Sequence, residues 1–526
     1  MTRSQEGFIW TSSATRNGLE TDSIIPSTPA SQLKPFYDVI VIGAGFAGLI
    51  AARDLSRSHN LSVLLIEGRD RIGGRTWTAR ELGEEFEMGG TWVHWNQPHV
   101  YAELSRYNLH PRLKTTAGNI AAEHTFYKGQ RPDAIVQTIP PETVAATAQR
   151  VADAFFSPDG QPSRYWMPYP HDPLRNSSGP PSSSTSSSPA QQQPWRTLDH
   201  LSVADRLAQL DPSSFSAEEK DVFETLVASF GSAPGAEIGF VEALRWYALG
   251  GHSMQGVFEL AGVYKLGGGG MTGFAREVVG EFCGDKVFGA VVERVEQQDA
   301  EGVKVVVVAR EGRRVFGAKQ VVCTVPLNCL GDVAFSPPLS PLKQEAIRHG
   351  QINKGAKIHM RLGEVEPGWF AMASPSGDSP WCFAFSDHNG TGANGASGTY
   401  AIAFGYNDRI PDPTRPENSA RIVQSFKENL RPQSRSGAEV TAYLTHPWHL
   451  DPLAKGVWSC WGKQAMSKYL AELQLPHGQV IFASADWADG WRGFIDGAIE
   501  RGYRAVRDVL EMRKAENQGT KVSARL

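Results

Sequence analysis

The sequence predicts an α/β fold spread over more than one domain, and three observations carry that reading. The chain has 526 residues, more than a single hydrophobic core ordinarily holds. It is 41% hydrophobic and 21% charged, which is globular composition. Near its start an apolar run, residues 37–42, leads directly into Gly43-Ala44-Gly45-Phe46-Ala47-Gly48, the turn by which a buried parallel strand enters a helix.

Taken in chain order, the elements begin with a polar, mixed stretch. Residues 1–35 lack the apolar stretch of a secretory signal, and a flexible N-terminal segment is expected there. Strand 37–42 comes next, and then the three glycines. The first permits a tight turn, the second lets backbone approach a pyrophosphate, and the third lets helix pack on strand. The helix N-terminus behind them offers free N–H groups and a positive dipole to phosphate. A second apolar strand, residues 62–66, ends at Glu67, 19 positions after Gly48, where a carboxylate can accept the hydroxyls of a ribose. Strand, glycines, helix, strand and acid in register predict a dinucleotide site.

Other features exclude functions. Lys and Arg number 52 against 56 Asp and Glu, a net charge of −4, which leaves no electrostatic footprint for nucleic acid. The longest apolar run, residues 39–52, is broken by three glycines, and a spanning helix needs about 18 uninterrupted apolar residues, so no membrane span is expected. Five scattered cysteines, an odd number, read as reduced thiols rather than a disulfide framework. His446 with His449, and His94 with His99, lack further ligands at zinc-like spacing, so no metal is expected. Neither a serine elbow nor a P-loop is present.

The flavin reading rests on the residues just after Glu67. Arg71-Ile72-Gly73-Gly74-Arg75 resembles the R-x-G-G-R segment of the flavin monoamine oxidase family, and Gly89-Gly90-Thr91-Trp92 resembles its G-G-[ST]-[WY] loop. The likeness runs from about residue 36 to 512 and is greatest to the soluble fungal branch, of the monoamine oxidase N type. It implies two interleaved domains. One is a Rossmann-like FAD-binding domain from 36–113, 258–340 and 452–512. The other is an α+β substrate domain from 114–257 and 341–451.

The same resemblance implies roles. Gly43, Gly45, Phe46, Ala47, Gly48, Glu67 and Arg75 would hold the dinucleotide, with Gly90, Thr91, Trp92, Val292, Trp448, Asp486 and Ile495 along the rest of the FAD. Trp458 and Phe494 would form an aromatic cage that orients the amine. Lys357 would hold a water at flavin N5, and Trp246 and Asn353 would line the substrate channel. The animal enzymes attach FAD through a cysteine where this chain has Val457, so noncovalent FAD is expected.

The implied reaction is oxidation of an amine to an imine, with O2 reduced to H2O2. An amino-acid, polyamine or specialised-metabolite oxidase remains open on the same scaffold, with Arg245 and Arg276 as candidate carboxylate partners. A flavin-bound interaction protein without turnover is the remote alternative. Residues 176–193, rich in Ser, Pro and Gln, are expected to form a disordered insertion. The tail, 513–526, ends in Ala524-Arg525-Leu526, which resembles the S-K-L address. A peroxisomal import receptor is the partner this implies, with the cytosol as the compartment if the tripeptide is not read. A homodimer is compatible with the sequence, which does not fix the oligomeric state.

Overall fold

The computed structural model describes residues 2–120, 122–175, 193–298, 302–391, 397–435 and 438–517. Its first large element is the strand Phe36–Ile42, which pairs in parallel with Val63–Ile66. Alternation along this strand feeds two cores. Ile40 and Ile42 pack into the cluster shared with the helices of the other domain, while Val39 and Val41 pack beneath the helices Phe46–Arg57 and Ile495–Asn517. A strand buried on both faces must be apolar, and this one is from Val39 to Ile42, while Asp38 and the exposed Phe36 lie at its open end.

Around that pair an eight-stranded sheet forms among the described residues. Asp285–Val287, Val63–Ile66, Phe36–Ile42, Gly312–Cys323 and Val480–Phe482 are joined by parallel pairings. Gly302–Ala309 and Ala290–Gln298 extend the sheet as an antiparallel meander. Segments far apart in sequence therefore share one layer. The fold class is α/β, as the sequence predicts.

The second sheet has nine strands, in the order Gln137–Ile139, His124–Lys128, Trp369–Ala373, Trp381–His388, Thr399–Gly405, Ala356–Leu362, Val440–Thr445, Phe8–Thr11 and Thr15–Asn17. Helices Pro141–Phe155, Ala217–Ala228 and Phe240–Leu249 pack through the large core. No helix among the described residues is long and apolar enough to cross a membrane.

Two expectations are corrected here. The N-terminal segment is built into the fold rather than free of it. Phe8–Thr11 pairs with Val440–Thr445, and Phe8 and Leu19 are fully buried, which offsets the entropy of ordering so polar a stretch. The tail does not begin at 513, because the last helix runs to Asn517, held by Arg513 on Asp38 and by Gln479 on Glu516. The expected insertion lies outside the described residues except for Gln193, as does Ala524-Arg525-Leu526.

Candidate active site

A cavity of about 770 Å³ is lined from both sheets. Its nucleotide end is built on the strand–helix turn. Gly43 adopts φ +102°, and Gly45 caps the helix Phe46–Arg57 with extended backbone. The second glycine turn passes face to face with the first. A Cβ on Gly74, itself at φ +58°, would lie 3.2 Å from the Gly45 Cα. Phe46, Ala47, Gly73 and Gly74 line the wall beside them. Gly48 does not. A Cβ there would meet the Gly43 carbonyl oxygen at 1.9 Å, so its place is the contact of helix with strand.

Glu67 stands at the end of its strand, its carboxylate fixed by the Ala44 N–H at 2.6 Å and the Arg69 N–H at 2.9 Å. Each oxygen keeps a lone pair for a further donor. Arg75 reaches across the cavity, donating to the Val457 carbonyl at 2.8 Å and pairing with Asp486 at 2.7 Å. Asp486 itself is fully buried behind the wall and also accepts the Leu327 N–H. It positions Arg75 and does not line the cavity, a correction to its expected place along the cofactor. Val292 and Ile495 do line it, the latter as the first residue of the last helix.

At the other end the nine-stranded sheet supplies a wall through its register. Lys357 pairs with Phe404, Phe404 with Phe383, and Phe385 with Phe370, so these side chains share one face. Trp92, Phe230, Trp246, Phe258, Trp458 and Phe494 complete the lining. The Trp458 indole donates to the Phe230 carbonyl at 2.6 Å and meets Phe404 edge-on at 5.9 Å. Phe494 is braced edge-on by Trp491 at 5.0 Å. Trp448 also lines the cavity, donating from its indole to the Met88 carbonyl.

Sequence reasoning found Trp246, Trp458 and Phe494 but missed the phenylalanines. The period-two spacing of Phe383 and Phe385 was the available signal; the pairing that brings Phe370 and Phe404 to them is not local. Asn353 is a correction. It is fully buried with its carbonyl bonded to the Val457 N–H, and it does not line the cavity.

Lys357 is also placed differently from expectation. Its Nζ donates to the Glu87 carbonyl at 2.7 Å, the Gly89 carbonyl at 2.8 Å and the Thr91 hydroxyl at 2.6 Å. Three acceptors take the three N–H groups of an ammonium, so a water could meet this group only through the lone pair of the neutral amine. The lysine ties down the loop that carries Gly89, Gly90, Thr91 and Trp92, and lies 5.1 Å from the Trp92 ring centroid. Burial lowers its pKa to about 7, an effect that Glu87 only partly opposes. Burial likewise raises the Glu87 carboxyl to about 7. His359, buried beside them, is pushed down to about 3 and is neutral.

The residues fit FAD. The two facing glycine turns, the helix N-terminus, Glu67 and Arg75 suit a nucleotide pyrophosphate, and the glycine floor at Gly90, where a Cβ would meet Thr76 Oγ1 at 2.7 Å, leaves width for a planar ring. Cys460 is buried off the lining, and the one cysteine on it, Cys329, sits at the Pro452 carbonyl near Arg75. Arg245 is enclosed by Glu242 and the Gly490 carbonyl, and Arg276 donates to the Asp22 carbonyl; neither lines the cavity. Glu6, His446 and Asp451 form a compact donor set, but Arg69 and Arg71 already balance its two carboxylates.

The profile of the family described as flavin containing amine oxidoreductase matches residues 46–510. Pseudooxynicotine dehydrogenase of Pseudomonas sp. is 33% identical over 506 residues, 96% of this chain and 92% of that one. Nicotine dehydrogenase of Pseudomonas putida is 30% identical over 480 residues, 90% and 89% of the two chains. The structure of cyclohexylamine oxidase from Brevibacterium oxydans has the same fold, with a TM-score of 0.68, 19% identity and coverage of 91% and 99%.

Proposed function

The chain belongs to the family of flavin-containing amine oxidoreductases, and from that premise we propose that its substrate is an apolar monoamine bearing an aromatic or alicyclic group. The enzyme is a flavin-dependent oxidoreductase acting on amines. Bound FAD would supply the chemistry by accepting the two electrons of the α-carbon C–H bond that breaks as the amine becomes an imine. The protein's task is to hold a neutral amine in place and keep water out.

The observation that carries the substrate class is the wall of Trp92, Phe230, Trp246, Phe258, Phe370, Phe383, Phe385, Phe404, Trp458 and Phe494. Among the described lining residues the only cation outside the nucleotide end is Lys357, and its N–H groups are already taken. A substrate carboxylate would find no partner there, which disfavours an amino acid. The carboxylates of the lining, Glu67, Glu293 and Asp332, lie on the strand and loop segments of the FAD side, so the second ammonium of a diamine would be buried unpaired. In this reading Trp458 and Phe494 orient the amine, and the remaining rings bury its apolar group. Nicotine, in the name of one relative, is an amine joined to an aromatic heterocycle, which supports the reading.

The proposal extends to O2 as electron acceptor, to kinship with the soluble fungal enzymes, and to import into peroxisomes through Ala524-Arg525-Leu526. The test is anaerobic bleaching of the yellow holoprotein by an arylalkyl monoamine, a cyclic secondary amine, putrescine and L-phenylalanine. The first two should bleach it, and admitting air should return the colour with one H2O2 per amine. Faster bleaching by the diamine or the amino acid would overturn the substrate class. Bleaching by none would overturn turnover altogether.

A further inference from the structure

The loop after Glu67 is gripped from beneath by a part of the chain far outside the nucleotide-binding motif. Arg69 lines the cavity, and its guanidinium pairs with Glu6 and, at 2.7 Å, with Asp451. Asp70 accepts the Ser4 hydroxyl at 2.8 Å and the Gln5 N–H at 2.9 Å. Arg71 donates from Nε to the other Glu6 oxygen at 2.6 Å and from Nη1 to the Gly74 carbonyl at 2.8 Å. The Ile72 N–H donates to the Ser23 carbonyl at 3.0 Å. Four consecutive loop residues are thus tied to residues 4–23.

This segment also holds the second sheet, where Phe8–Thr11 pairs with Val440–Thr445. The strand it pairs with leads into His446 and Trp448, and Trp448 lines the cavity. The segment therefore fastens the nucleotide loop of one domain to the wall of the other.

We propose that residues 4–23 are part of the cofactor site, a strap on the loop 67–75, and that Glu6 is a positioning residue for FAD acting through Arg69 and Arg71. Both guanidiniums are buried, and among the described residues Glu6 is the only carboxylate paired with Arg71. Removing that charge leaves a buried cation uncompensated directly beneath the turn Gly73–Gly74. The loop must then shift or hydrate, and either change moves Arg69 and the glycine turn away from the dinucleotide. Arg71 does not reach the cavity, so its freed charge gives FAD nothing in exchange.

The experiment compares full-length parent, Glu6→Gln, and the control Glu20→Gln, whose carboxylate pairs with exposed Arg3 on the same segment. FAD is stripped, readded and titrated by its fluorescence, and melting temperatures are taken with and without FAD. Glu6→Gln should bind FAD about tenfold more weakly, the scale of coupling between groups in one network. The gap between its holo and apo melting temperatures should shrink, while the control keeps the parent values. A purely scaffolding role would lower both melting temperatures together and leave the FAD dissociation constant unchanged. Ser4→Ala, which removes the bond to Asp70 and the hydroxyl that accepts the Glu6 N–H, is the milder variant should Glu6→Gln fail to fold, and it should speed FAD release. Parent-like FAD affinity and release in whichever of these folds would overturn the proposal.

Discussion

At Lys357 two demands oppose each other. Burial disfavours the ammonium, while the carbonyls of Glu87 and Gly89 and the Thr91 hydroxyl want its protons. The folded pKa of about 7 lies below the unfolded value of 10.5. The unfolded chain therefore binds more protons between those values, and this residue makes stability rise with pH across that window. Glu87 works in a lower window with the opposite sign. Its pKa is raised from 4.5 to about 7, so its contribution falls as pH rises between them. Lys357→Met should accordingly lose the upper rise. Urea unfolding of parent and variant should show the parent's advantage growing from pH 7 to pH 10, and an advantage that stays flat would refute the burial argument. The same variant frees the loop under Trp92, so amine-driven flavin reduction should slow by about 10², the loss expected when a supporting element lets the reacting groups shift by about 1 Å. Anaerobic stopped-flow measures it directly.

The strand–turn–helix that opens the nucleotide end makes its own case through Gly48. A Cβ at this position would lie 1.9 Å from the Gly43 oxygen, so Gly48→Ala must push the helix Phe46–Arg57 off its strand. FAD affinity should fall with stability, by roughly 1–3 kcal/mol in the latter, although residue 48 does not touch the cavity. Gly280, ending the helix Gly270–Gly280, has nothing within 4 Å of such a Cβ, and Gly280→Ala should be neutral or stabilise by up to about 1 kcal/mol. Chemical denaturation with FAD titration separates the two; equal effects would mean that the close approach is not the cause. This element was legible in the sequence because everything it needs is local: glycines, an apolar run and an acid within about thirty residues. The strand Phe8–Thr11 was not, since four residues in a polar stretch give no period and its partner lies more than 400 positions away. The phenylalanine wall was hidden for the same reason. Asp486 and Asn353 could be read as near the site by motif position, but which side of the wall they occupy depends on the packing of Leu327 and Val457 against them.

On the scale of the whole molecule the cavity is a joint. Its lining comes from the eight-stranded sheet, the nine-stranded sheet and the closing helix Ile495–Asn517, so FAD bound there would contact segments that only the folded chain brings together. The unfolded chain has no comparable site, and a ligand bound only by the folded state stabilises it by mass action, about 2.7 kcal/mol at a free concentration 100 times the dissociation constant. The unfolding midpoint should therefore climb with added FAD. The bond to the flavin should also be wholly noncovalent. Val457 cannot form a thioether, Cys460 is off the lining, and Cys329, whose thiol burial pushes up to about 12, is a poor nucleophile near Arg75. Denaturing the holoprotein and passing it through a small-pore filter should send all the flavin into the filtrate. Colour retained with the polypeptide would identify a covalent link, and a midpoint indifferent to FAD would show that the joint does not depend on its ligand.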